Sequence, residues 1–175
     1  MPVMLEVTKI FTFDAAHRIE EYVGKCHDLH GHTYRVELTV RGPRGRRGIV
    51  VDFAELKAIF KEFYEGVLDH RYLNEVIPTA NTTAENLAVW FFNYWDRHVR
   101  PRYPHLFPER IRIWETPTSH VTLTRADWEA GREDDGRWPE GEVRRPAGPE
   151  DPGRCAGAAA APADPGPGAD RPTGG

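Results

Sequence analysis

His30-Gly31-His32-Thr33-Tyr34-Arg35-Val36-Glu37-Leu38-Thr39-Val40 alternates between two kinds of residue, and this alternation decides the fold. The even positions hold His30, His32, Tyr34, Val36, Leu38 and Val40, with Arg35, Glu37 and Thr39 between them. Successive side chains of a strand point to opposite faces, so the stretch predicts a strand whose apolar face begins with two histidines. Upstream, Leu5, Val7, Phe11, Phe13, Ala15 and His17 form a second period-two run, imperfect at Lys9, against Glu6, Thr8, Thr12 and Asp14. Paired antiparallel, the two strands bring His17 at the end of one beside His30 and His32 at the start of the other. The loop between them, residues 18–29, carries Cys26.

Three neutral imidazoles at one hairpin end leave a tetrahedral ion one open position, the arrangement of a catalytic zinc. A single histidine on an apolar face is more often a packed core residue, but three converging histidines reverse that preference. Cys26 has two readings. It is either the fourth ligand of a closed Cys-His₃ site or a nearby base whose thiolate is favoured by the cation and by Lys25. Asp69-His70, viewed alone, reads as a helix end. Glu115 shares a strand face with Ile111 and Ile113. A carboxylate there needs donors, and a planar ligand edge with two N–H groups would satisfy both oxygens.

Outside the first hairpin, Asp52 is an N-cap candidate for a helix through Phe53, Leu56, Phe60, Phe63 and Val67, ended by Gly66 and residues 68–74. Thr82-Thr83-Ala84-Glu85 reads as a capping box for a second helix through Leu87, Trp90, Phe91 and Tyr94. Residues 110–116 and 120–125 read as two short strands. The order β-β-α-α-β-β predicts an α+β domain over residues 1–125, a four-stranded antiparallel sheet with two helices on one face. Such a sheet has two open edges, and edge-to-edge assembly into an oligomer would cover them.

Residues 126–175 contain 10 Gly and 8 Pro with few large aliphatics, which predicts a tail too poor in apolar area to order itself. The tail carries 11 acids and 6 bases, the preceding residues 16 and 17, so the folded part is nearly neutral and offers no basic stripe for nucleic acid. No apolar run approaches membrane-spanning length, and the N-terminus lacks the charged and apolar regions of a signal peptide. Cys26 and Cys155 make no disulfide framework, and a reducing cytoplasmic setting is expected.

Six segments, in order, carry a resemblance to a known family. They are Phe13-Asp14-Ala15-Ala16-His17, Cys26-x-x-x-His30-Gly31-His32, Gly48-Ile49-Val50-Val51-Asp52-Phe53, Leu68-Asp69-His70-Arg71-Tyr72-Leu73-Asn74, Thr83-Ala84-Glu85-Asn86 and Trp114-Glu115-Thr116. Over roughly residues 5–125 the chain resembles the 6-pyruvoyl-tetrahydropterin synthase / 6-carboxytetrahydropterin synthase family. The resemblance implies the tunnelling fold and a homohexamer of two stacked trimers with active sites between subunits. It implies Zn2+ on His17, His30 and His32, Cys26 as proton acceptor, Asp69 and His70 in proton relay, and Glu115 and Thr83 at the pterin. It also implies a pterin triphosphate substrate, 7,8-dihydroneopterin triphosphate. The three residues between Cys26 and His30 resemble the carboxy-type enzymes of queuosine and 7-deazapurine biosynthesis, which release acetaldehyde. Pyruvoyl-type relatives have a longer interval. Three rivals remain: the pyruvoyl synthase itself, a His₃-zinc hydrolase or hydratase, and a zinc-stabilised assembly module without catalysis. The family usually has proline where this chain has Thr82, and since threonine is a good N-cap the helix is expected to survive.

Overall fold

The computed structural model describes residues 1–79 and 81–132. Strand β1 (Met4–His17) pairs antiparallel with β2 (His30–Pro43) along its whole length, from Met4 opposite Pro43 to His17 opposite His30. Phe13 stands opposite Tyr34, and their rings stack with centroids 4.9 Å apart. The predicted parity holds: Phe13, Ala15, Tyr34, Val36, Leu38 and Val40 are all buried, while Thr12, Asp14, Arg35 and Arg41 are exposed.

Helix α1 (Phe53–Phe60) starts where Asp52 Oδ1 accepts the Ala54 N–H at 2.8 Å. The chain remains helical through a wider π turn, Lys61–Glu65, and into α2 (Gly66–Leu68), so Gly66 does not end it. Two extended residues, β3 (Arg71–Tyr72), lie parallel to Ala15–Ala16 of β1, and α3 (Leu73–Val76) follows. Helix α4 (Ala84–Tyr94) is capped by Thr83, whose Oγ1 accepts the Asn86 N–H at 3.2 Å. The cap expected at Thr82 is therefore one residue later, because the Thr82 side chain is drawn into the interior. Strands β4 (Pro108–Thr116) and β5 (Ser119–Thr124) complete the sheet, in the order β3-β1-β2-β4-β5.

The four expected antiparallel strands are thus present, and β3 adds a fifth, parallel one. Its two residues carry no periodic pattern, and its position is set by hydrogen bonds to the end of β1. The helices cover one face of the sheet: Phe60 stacks on Phe11 at 4.1 Å and Tyr64 on Phe91 at 4.6 Å. Two buried polar groups among them find partners, Tyr64 Oη donating to the Phe91 carbonyl at 3.1 Å and Trp95 Nε1 to that of Leu106 at 3.2 Å, whereas Trp90 Nε1 has none among the described residues. Among the described residues no helix is long and apolar enough to cross a membrane.

Order extends past the predicted boundary at residue 125. Helix α5 (Arg125–Arg132) occupies what the composition assigned to the tail, and the rest of that expectation, including Cys155, lies outside the described residues. Trp128 explains the difference. It is 5% exposed, stacks on Phe92 at 5.4 Å, lies 5.5 Å from Phe107, and donates from Nε1 to Asn93 Oδ1 at 2.9 Å. One large aromatic in the right place anchors a helix that is otherwise polar. A Trp128→Ala protein should lose about 3 kcal/mol in urea unfolding, the usual cost of emptying a buried tryptophan site. A chain ending at residue 125 should lose a similar amount.

Candidate metal centre and active site

The site forms where the apolar face of the first hairpin runs out. His17 is fully buried, and His32 retains 20% of its side-chain exposure. One donor nitrogen from each of His17, His30 and His32 lies within 4.8 Å of the others. His17 Nδ1 is 2.9 Å from the Thr82 carbonyl, and His30 Nδ1 is 2.7 Å from that of Asp28. A carbonyl only accepts, so both Nδ1 atoms carry hydrogen and donate, and each Nε2 presents a lone pair. Those two Nε2 atoms face each other at 3.1 Å. Two lone pairs at that separation repel unless a cation stands at them. His32 Nε2 is buried with no hydrogen-bond partner among the described residues. Two imidazoles oriented by carbonyls behind them, with a third beside them whose Nε2 has no partner, fit a divalent metal.

Burial first of all lowers the titration of both His17 and His32 from the ordinary 6.5, opposed in each case by the negative charge of Glu115. The Thr82 carbonyl also works against the burial of His17. The rings are therefore neutral near pH 7, as metal ligation requires. Glu115 Oε1 lies 3.5 Å from His17 Nε2 and 4.0 Å from His32 Nε2. This aim has a local cause. Trp114 pairs with His120 and Thr116 with Ser119, so Glu115 is an extra residue on β4, and such a bulge re-aims the side chain. The carboxylate stands closer to the histidines than its strand parity alone indicated.

Asp69 and His70 form a second, linked unit. Asp69 Oδ2 is 2.9 Å from His70 Nδ1, while Oδ1 accepts the Asp14 N–H at 3.0 Å. The Asp14 N–H is the largest influence holding the Asp69 carboxyl below its ordinary range, and His70 adds to it against some desolvation. The His70 N–H donates to the Asp14 carbonyl at 2.6 Å, which fixes His70 in the left-handed region at φ 55°. An open groove of about 580 Å³ passes over Asp14, Thr33, Arg71 and Tyr72 and reaches both His32 and the 77% exposed His70.

Cys26 lies half-buried in a 3₁₀ turn, Lys25–His27, and is not one of the converging ligands. The closed Cys-His₃ reading needs its sulfur among them. Thr83 uses its hydroxyl oxygen to cap α4, which leaves the O–H hydrogen free to donate. The sequence reading missed the supports. Thr82, fully buried, supplies the acceptor behind His17, and its Oγ1 donates to Asn74 Oδ1 at 3.1 Å. The only visible signal was a threonine where a proline was expected.

Residues 6–126 match the family model described as 6-pyruvoyl tetrahydropterin synthase. The chain is 34% identical over 140 residues to the 6-carboxy-5,6,7,8-tetrahydropterin synthase of Haemophilus influenzae, covering 66% of this chain and 96% of that one. It is 38% identical over 133 residues to the 6-pyruvoyl tetrahydrobiopterin synthase of Drosophila melanogaster, covering 66% and 77%. Among solved structures, the 6-pyruvoyl tetrahydropterin synthase of Caenorhabditis elegans superposes with a TM-score of 0.60 at 27% identity, covering 70% of this chain and 96% of that one.

Because the folded state holds His17 and His32 neutral below 6.5, the unfolded chain binds more protons as pH falls. Their contribution to stability is complete above 6.5 and is lost as pH drops from there through the lowered folded-state values. With metal chelated, the thermal midpoint should therefore fall between about pH 7.5 and about pH 5.5, and His17→Gln should flatten that fall. A wild-type midpoint independent of pH over this range would contradict the assignment.

Proposed function

This chain belongs to the 6-pyruvoyl tetrahydropterin synthase family, and from that premise we propose that it is a zinc-dependent 6-carboxy-5,6,7,8-tetrahydropterin synthase. It is a carbon–carbon lyase that converts 7,8-dihydroneopterin triphosphate to 6-carboxytetrahydropterin, acetaldehyde and triphosphate, a step of queuosine or 7-deazapurine biosynthesis. The observation that carries the reading is the trio of ring nitrogens of His17, His30 and His32 within 4.8 Å of one another, with Glu115 facing them.

His17, His30 and His32 would hold the zinc, which supplies Lewis acidity toward the substrate's side-chain hydroxyls. The remaining work falls to the chain's own groups. Glu115 anchors the pterin through its N–H edge, and the Thr83 hydroxyl donates to the same ligand. Cys26 accepts a proton from the substrate side chain. His70, whose Nδ1 lies 2.9 Å from Asp69 Oδ2, returns a proton, and the carboxylate keeps the imidazole oriented. The 77% exposure of His70 in a single subunit supports a site completed by a neighbouring subunit, within a hexamer formed as a dimer of trimers. Edge pairing in that assembly would cover the unpaired length of β1, which β3 meets only at Ala15–Ala16.

The Drosophila relative favours a second reading, pyruvoyl synthase, in which the same residues act without carbon–carbon cleavage. The three-residue interval between Cys26 and His30 supports the carboxy-type product. Purified, zinc-loaded protein given 7,8-dihydroneopterin triphosphate should release acetaldehyde and triphosphate in equal amounts. Triphosphate without acetaldehyde would establish the pyruvoyl reading instead. Cys26→Ala should lower kcat by about 100-fold or more while retaining zinc, as expected for a proton acceptor that is not a ligand.

A further inference from the structure

Strand β1 ends at His17, but its hydrogen bonding continues for three more residues on side chains. Asn74 Oδ1 accepts the Arg18 N–H at 3.0 Å, and Asn74 Nδ2 donates to the Arg18 carbonyl at 2.9 Å. Asn81 repeats the pattern on Glu20, accepting its N–H at 2.7 Å and donating to its carbonyl at 3.3 Å. In an extended chain, residues i and i+2 present their backbone groups to one edge and the residue between them faces the other. Ile19 does so: its N–H donates to the Cys26 carbonyl at 2.9 Å. Residues 18–20 are therefore held between two carboxamides on one side and the turn that carries Cys26 on the other.

The Asn74 carboxamide and the Asn81 main chain are themselves held. Asn74 Oδ1 also accepts the Thr82 hydroxyl, and the Thr82 carbonyl orients His17. The Asn81 carbonyl accepts from Asn86 Nδ2 at 2.8 Å and from the Thr79 hydroxyl at 3.2 Å. The loop gains little from packing, since Tyr22, Val23 and Leu29 are all exposed and Val23 is 99% so. Polar ties to residues 18–20 replace the burial that would otherwise fix it.

We propose that Asn74 and Asn81 are positioning residues that set where Cys26 stands relative to the three histidines, an inference resting on Cys26 as the proton acceptor. Asn81 gives the cleaner test, because its carboxamide bonds Glu20, whereas that of Asn74 also accepts from Thr82, the residue whose carbonyl stands behind His17. Three quantities are read on zinc-loaded full-length protein: bound metal, kcat and KM, and the rate of Cys26 alkylation by iodoacetamide. Alkylation is followed on the Cys26 peptide by mass, so that Cys155 does not contribute.

Asn81→Ala should alkylate at Cys26 several-fold faster, with unchanged zinc content, about a tenfold lower kcat and a KM within about twofold. Asn81→Asp, which keeps the acceptor for the Glu20 N–H, should recover most of both changes. Wild-type alkylation and kcat in Asn81→Ala would overturn the proposal. So would loss of zinc together with activity in an Asn81→Ala protein that still unfolds cooperatively, which would mark a role in shaping the histidine cluster instead. Should Asn81→Ala not fold, Asn81→Gln displaces the carboxamide by one methylene, and wild-type alkylation in that variant overturns the proposal equally. Absence of dihydropterin turnover in the wild type would refute the proposed function, while the alkylation rates would still decide whether Asn81 holds Cys26.

Discussion

The antiparallel register of β1 against β2 is the constraint on which the rest of the molecule depends. It sets His17 opposite His30 and Ala15 opposite His32, so that the histidines emerge on the same face as Phe13 and Tyr34. A slip of one residue would turn one strand's set to the side that carries Thr12, Asp14 and Arg35, parting His17 from His30 and His32. That slip would also place either Phe11 and Phe13 or Val36 and Leu38 in water, at roughly 2 kcal/mol for each large side chain. Burial of the core and convergence of the ligands are thus two results of one pairing, which explains how a metal-binding arrangement persists at the end of a strand.

The helices complete what the hairpin lacks. The residue before the α4 cap supplies the carbonyl behind His17, and the residues after α2 supply Asp69 and His70. His70 adopts a left-handed backbone that costs a non-glycine residue about 1–3 kcal/mol. Two hydrogen bonds to the Asp14 backbone, one from the His70 N–H and one to Asp69 Oδ1, hold it there. The pair is therefore registered against the same strand that carries His17, and the proposed relay and the three histidines share one frame.

How much of this was legible depends on where each part is encoded. Alternation in Leu5–His17 and His30–Val40 made the hairpin, its buried face and the convergence of His17, His30 and His32 readable, since all are side-chain patterns. Helix α5 was not readable, because a composition averaged over residues 126–175 dilutes the one residue, Trp128, that anchors it. Strand β3 is too short to show a period. The support behind His17 is a main-chain carbonyl, which every residue possesses, so nothing in the sequence could distinguish Thr82 as its source. Asn74 and Asn81 act on backbone groups of residues 18–20, and only the folded chain brings those partners together.

The extra residue at Glu115 bears on how the gene for this chain can vary. Along most of β4 a substitution alters one contact and leaves its neighbours in place. Loss of a single codon between residues 114 and 116 would restore a regular ladder with β5 and leave the core residues Ile111 and Ile113 where they are. It would also remove the Glu115 carboxylate that faces the histidines. The end of this strand can therefore accept changes in spelling far more readily than changes in length, and an in-frame deletion there would yield a folded protein whose site has lost its acid.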